Sequence, residues 1–137
     1  MVSKKLIIFL LQWISINTDY DVSKFDFRVK VMESSALQKI VCGGKCPILG
    51  FFSDEFGILL TEMNFDNLCN QSILLHEMIH SLQDDDIEVI FKEKEAYYLQ
   101  NKFLEEFSLK NDIIEILNVK KCRSNQVKNH LSGVRNE

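Results

Sequence analysis

The pattern of apolar and polar positions divides the chain into short segments of changing period. Leu6 to Leu11 form an apolar run behind the basic stretch Met1 to Lys5, and this predicts an amphipathic first helix ending near Asn17. The same stretch imitates a secretory signal. However, no small-x-small cleavage site follows, Gln12 and Trp13 interrupt the run, and it is too short to span a bilayer. Thr18 to Ser23 is polar and turn-rich. Phe25, Phe27, Val29 and Val31 then alternate with charged neighbours, which is the period of a half-buried strand over Phe25 to Met32.

Ser34 or Ser35 can cap a short helix through Leu37 and Ile40, and Gly43-Gly44 stops it. Pro47 to Phe52 and Gly57 to Glu62 are apolar runs joined by Ser53-Asp54-Glu55-Phe56, so they read as a β-hairpin. A long helix is expected to start near Asp66 or Asn67 and to run through Leu68, Ile73, Leu75, Ile79 and Leu82 to about Gln83. Asp84 to Asp86 break that pattern and can cap the next helix, from Ile87 to Phe107. A last helix is expected around Asp112 to Leu117. Beyond it the chain is polar and mildly basic, and residues 118–137 are expected to be a frayed tail. The order predicts a single α+β domain over residues 1–117, in which a small sheet with a hairpin packs on two long helices.

Composition narrows the class. A chain of 137 residues with 46% apolar and 26% charged residues holds one domain with a real core and excludes collagen-like and grossly disordered chains. The net charge of −4, with no sustained basic stripe, argues against nucleic acid as a partner. Four cysteines are too few for a disulfide scaffold, and stability is not expected to depend on them. Cys42 and Cys46 bracket Gly43-Gly44-Lys45, a flexible segment that lets the sulfurs meet in an oxidising compartment and leaves two free thiols otherwise. That segment and the apolar N-terminus lean towards export to a bacterial periplasm or beyond, while the missing cleavage site leans against it.

Two of the three histidines fall in His76-Glu77-Met78-Ile79-His80, inside the first long helix. Residues four apart lie one above the other on a helix face, so both imidazoles can reach one metal ion. Glu77 beside them can act as general base, taking a proton from a water on the metal. Zinc suits two imidazoles that leave room for a third protein ligand and an open position. Leu74, Leu75, Met78, Ile79 and Leu82 keep the neighbouring positions uncharged, as a buried helix requires.

The third ligand has to come from elsewhere, and the following helix offers Glu88, Glu93 and Glu95. At about 100° per residue, the apolar face of Val89, Ala96, Leu99, Phe103, Leu104 and Phe107 has Glu93 within roughly 60° of its centre and Glu95 about 100° off. Glu93 therefore points inward, where a carboxylate costs several kcal/mol unless it is paired or coordinates a metal.

The HExxH sequence followed by Glu93-Lys94-Glu95-Ala96-Tyr97 resembles the gluzincin branch of the zincin metallopeptidases. More narrowly, the chain from Trp13 to Phe107 is similar to small, little-characterised bacterial HExxH metallopeptidase-like proteins. The residues that carry this likeness are Cys42 to Gly50, the leucine-rich HExxH with Leu82-Gln83, and Glu93 to Asn101. The resemblance implies a minimal zincin-like fold, one Zn²⁺ held by His76, His80 and Glu93, and a peptide or protein substrate. It also implies that the strand before the metal helix, Ile58-Leu59-Leu60, pairs with the substrate along a sheet edge. The gap between His80 and Glu93 is short for a gluzincin. No clear histidine or tyrosine matches the family's transition-state donor, although Tyr97, one turn after Glu93, can reach a ligand or an oxyanion.

Two functions fit these residues. In one, a zinc-dependent peptidase uses Glu77 as general base. In the other, a zincin-fold binding or regulatory module keeps the helix pair without cleavage, since little chain is left to wall a cleft.

Overall fold

The computed structural model describes residues 1–111 and 115–124. Its helices are α1 (Lys4–Asn17), α2 (Ser34–Cys42), α3 (Leu68–Leu82) and α4 (Val89–Lys110), and its strands are β1 (Val29–Met32), β2 (Gly50–Ser53) and β3 (Gly57–Thr61). The strands form one sheet in the order β1-β3-β2, with β1 parallel and β2 antiparallel to β3. The domain is a small α+β unit, as the pattern of the sequence predicts.

The core lies between the sheet and three helices. Ile58 and Leu60 of β3 meet Leu74, Leu75, Met78 and Ile79 of α3, Ala96, Leu99 and Phe103 of α4, and Ile7, Leu10, Trp13 and Ile14 of α1. The apolar run near the N-terminus is thus a core helix, opened by the Ser3 hydroxyl accepting the Leu6 N–H at 3.1 Å. Its Trp13 indole donates to Glu106 at 3.0 Å, which ties α1 to the far half of α4. Successive side chains of β3 alternate between faces, so Leu59 turns away from this core, towards the side where α2 buries Leu37.

Three expectations are corrected by local hydrogen bonding. The strand expected from Phe25 begins only at Val29, because Asp26 accepts the Arg28 N–H and Phe27 adopts φ 61°, forming a turn instead of extended backbone. Asp84 to Asp86 do not cap α4. The Ile87 N–H bonds the Asp84 carbonyl in a separate turn, Glu88 is the cap residue without a side-chain bond, and Val89 is exposed instead of joining the buried face. The chain from Asn118 is not a free tail at its start. Residues 119–124 form a helical turn in which Val119 and Cys122 are buried, Val119 N–H donates to Asn101 at 2.8 Å, and Leu117 N–H donates to Ser108 at 2.9 Å. The helix expected over Asp112 to Leu117 falls partly outside the described residues, as does the tail from residue 125 with His130. Residues 116–118 have no regular structure.

All four cysteines are paired: Cys42 with Cys46, as the flexible segment between them allows, and Cys69 with Cys122. The second bridge was not foreseen. It joins the first turn of α3 to the C-terminal turn, across 53 positions of sequence.

Candidate metal centre

Helix α3 begins where Asn67 accepts the Asn70 N–H at 3.2 Å, and its phase then sets Leu74, Leu75, Met78 and Ile79 into the core. With the helix fixed by that face, His76 and His80 emerge side by side towards α4, their rings 4.7 Å apart. Helix α4 returns alongside and brings Glu93 to meet them. His76 Nε2 lies 3.1 Å from His80 Nε2 and 3.2 Å from Glu93 Oε1, and His80 Nε2 also contacts Glu93 Oε1. Glu95 faces solvent. Among the described residues these three are the one group of metal-ligating side chains whose donor atoms converge.

Hydrogen bonds behind the rings determine what the front of the site can do. Gln100 Oε1 lies 2.9 Å from His76 Nδ1, and the Gln100 amide nitrogen donates to Ser72 Oγ at 3.0 Å. Gln83 Oε1 lies 2.7 Å from His80 Nδ1, and its amide nitrogen donates to the Lys92 carbonyl at 2.9 Å. Each amide N–H₂ already has an acceptor, so each amide oxygen must face its ring, and each Nδ1 must be the donor. A neutral imidazole protonated at Nδ1 has a lone pair at Nε2. Two lone pairs and a carboxylate oxygen thus point at one another, an arrangement that is repulsive unless a cation stands among them. The donor set could hold a metal ion: two imidazoles, one carboxylate, and outer partners that fix the ring tautomers. Burial, and next the neighbouring His80, hold His76 below the ordinary histidine range, which favours the neutral form that a ligand must have.

Glu77, next to His76 on α3, packs against β2. It is only 8% exposed, and a side chain at Gly50 of β2 would lie 3.1 Å from its Cγ and 3.2 Å from its Oε2. The missing Cβ of Gly50 therefore makes the space that Glu77 occupies. Burial, with a further contribution from the charge of Glu93, pushes the Glu77 carboxyl up to about 8.

Two of the expected site roles, the substrate edge strand and that of Tyr97, need correction or redefinition. Ile58, Leu59 and Leu60 do not form an edge. They are the central strand, paired with β1 on one side and β2 on the other, and all three are buried. A continuous apolar run without alternation is itself the pattern of a strand covered on both faces. Tyr97 reaches the site as a cover. Its ring lies 4.6 Å from the His76 ring, and its hydroxyl accepts from Arg123 at 2.7 Å.

Gln83, Gln100 and Gly50 carry roles that inspection of the sequence does not assign. Gln100 is seven residues after Glu93, two turns along the same face, and a lone glycine inside an apolar strand marks close approach of another group. No protein-family model, curated protein or solved structure matches the chain.

Proposed function

We propose that the protein is a zinc-dependent peptidase in which His76, His80 and Glu93 hold the ion and Glu77 is the general base. The observation that carries this reading is the convergence of His76 Nε2, His80 Nε2 and Glu93 Oε1, with the two rings fixed by Gln100 and Gln83, beside the buried carboxyl of Glu77. When bound, zinc supplies a Lewis acid that polarises a scissile carbonyl and acidifies water.

The chain's own residues do the rest. Glu77 takes a proton from the attacking water and returns it to the leaving amine. A carboxyl raised by burial suits this role, because a base works best with a pKa near the working pH. A cation among the three ligands acts in the opposite direction to burial and favours the charged carboxylate.

Substrate would lie on the open side of the cluster, where Glu93 and His80 are more exposed than His76. The strand suited to hold an extended peptide is β2. Just before it, the Leu49 carbonyl accepts the Thr61 N–H at 3.0 Å, so in the antiparallel register the backbone groups of Gly50 and Phe52 turn to the outer edge. Main-chain pairing there would run a peptide past Glu77, reading extended shape more than sequence. The two disulfides favour an oxidising compartment as the place of action.

The test is cleavage of a proteome-derived peptide library by wild type and Glu77→Gln, with zinc measured on both. Turnover by wild type and none by a zinc-loaded Glu77→Gln is the expected result. Equal cleavage by both would refute the role of Glu77. A zinc-loaded wild type that cleaves nothing would favour a binding module.

A further inference from the structure

The C-terminal turn is joined to α3 and α4 by a chain of contacts that ends at His76. Cys122 is bridged to Cys69 in the first turn of α3, and the two pack with Leu104 and Val119 in a small cluster of their own. Next to Cys122, the Arg123 guanidinium stands 5.1 Å from the centre of the Tyr97 ring while donating to the Tyr97 hydroxyl. The Tyr97 ring also meets His76, tilted 56° to the imidazole at 4.6 Å.

On α4, Tyr97 lies four residues after Glu93 and three before Gln100, so it sits between the two groups that meet the ring nitrogens of His76. His76 is thereby held at Nδ1 by Gln100 and flanked by the Tyr97 ring. Among the described residues Arg123 is exposed. Removing it deletes little packing.

We infer that the C-terminal turn is a positioning element for the metal ligand His76. The Cys69–Cys122 bridge anchors the turn, Arg123 holds Tyr97, and Tyr97 fixes the plane of the imidazole so that its Nε2 lone pair stays aimed at the ion. This rests on the zinc reading above. A ligand pre-oriented by its neighbours loses less freedom on binding than one free to rotate, so the clamp acts on zinc affinity and not only on the chemical step.

The experiment uses the full chain as wild type, Arg123→Ala, Arg123→Lys, Tyr97→Leu and the double variant Cys69→Ala/Cys122→Ala. For each, zinc affinity is measured by chelator competition, the visible spectrum is taken with Co²⁺ in place of zinc, and the melting temperature is recorded after metal removal. Arg123→Ala and Tyr97→Leu should weaken zinc binding by about tenfold, the lower end of what outer partners of a metal ligand contribute. Both should alter the Co²⁺ spectrum, and Arg123→Lys should restore part of the loss. Arg123→Ala should leave the melting temperature of the metal-free protein unchanged, which separates positioning from folding even if the cysteine variant unfolds.

Wild-type zinc affinity and an unchanged Co²⁺ spectrum in Arg123→Ala and Tyr97→Leu would overturn the clamp and leave the metal site standing. A wild type that takes up no zinc would overturn the metal site and the clamp together.

Discussion

Gln100 Oε1 accepts the Nδ1 proton of His76 at 2.9 Å, and this bond fixes which ring nitrogen faces Glu93. Gln83 does the same for His80 from the end of α3. Both partners are neutral amides, so they orient the rings without adding charge to a site that already contains a carboxylate.

Gln100→Leu and Gln83→Leu should therefore each raise the zinc dissociation constant by roughly 10- to 100-fold, the usual cost of losing an outer partner of a metal-bound histidine. Gln100→Leu should also lower the melting temperature, because the buried His76 Nδ1–H and Ser72 hydroxyl each lose a partner. Chelator competition and thermal melts check the two effects separately.

Glu93 and Glu95 point about 160° apart on one helix, so only one can complete the ligand set. Glu93→Gln should weaken zinc binding beyond the roughly 100-fold reached by outer partners, since it replaces a charged ligand with a poorer neutral oxygen. Glu95→Gln should change stability by no more than about 0.5 kcal/mol and leave zinc bound. Zinc titrations of the two variants decide it.

Gly50 is the neighbour of Glu77 that cannot grow. Gly50→Ala puts a methyl group 3.1 Å from Glu77 Cγ and 3.1 Å from Leu60 Cδ2, so one of them has to shift. Destabilisation of about 1 kcal/mol is expected from the overpacking. The displaced base should lower turnover by up to about 100-fold, with zinc content unchanged. Steady-state kinetics beside elemental analysis would show the split.

The two disulfides differ in the length of chain they close. Closure of the long loop by Cys69–Cys122 is worth about 4 kcal/mol and that of the short Cys42–Cys46 loop about 2 kcal/mol by chain entropy. Replacing the Cys69–Cys122 pair with alanines should lower the melting temperature clearly more than replacing the Cys42–Cys46 pair. Equal shifts would mean that the long bridge adds little beyond the packing of Leu104 and Val119.

How much of this was legible in the sequence depended on how local each feature is. His76, Glu77 and His80 follow from spacing on one helix, and Glu93 from the phase of the next, because helical geometry relates neighbours by a fixed angle. The boundaries of α1 and α3 follow for the same reason, and the hairpin from its turn residues, although its first strand begins at Gly50 and not at Pro47. Which strand of the hairpin lies at the edge does not, since β1 reaches β3 only through the tertiary path of the chain. That path also brings Cys122 to Cys69, a pairing that no spacing rule specifies. The start of α4 is not legible, because Asp84 to Asp86 satisfy the composition of a cap while the backbone bond of Ile87 to Asp84 forms a turn instead. Gln83 and Gln100 were hidden because an amide becomes a tautomer-fixing group only once its other end is engaged, by Lys92 in one case and Ser72 in the other.

Metal content decides whether the convergence of His76, His80 and Glu93 is a zinc site. Elemental analysis of protein purified without chelators, repeated on His76→Ala, should give one zinc per chain for wild type and almost none for the variant. Chelation should lower the melting temperature of wild type alone. A wild type with no stoichiometric zinc, and with a melting temperature that chelators leave unchanged, would contradict the site and the catalytic reading built on it.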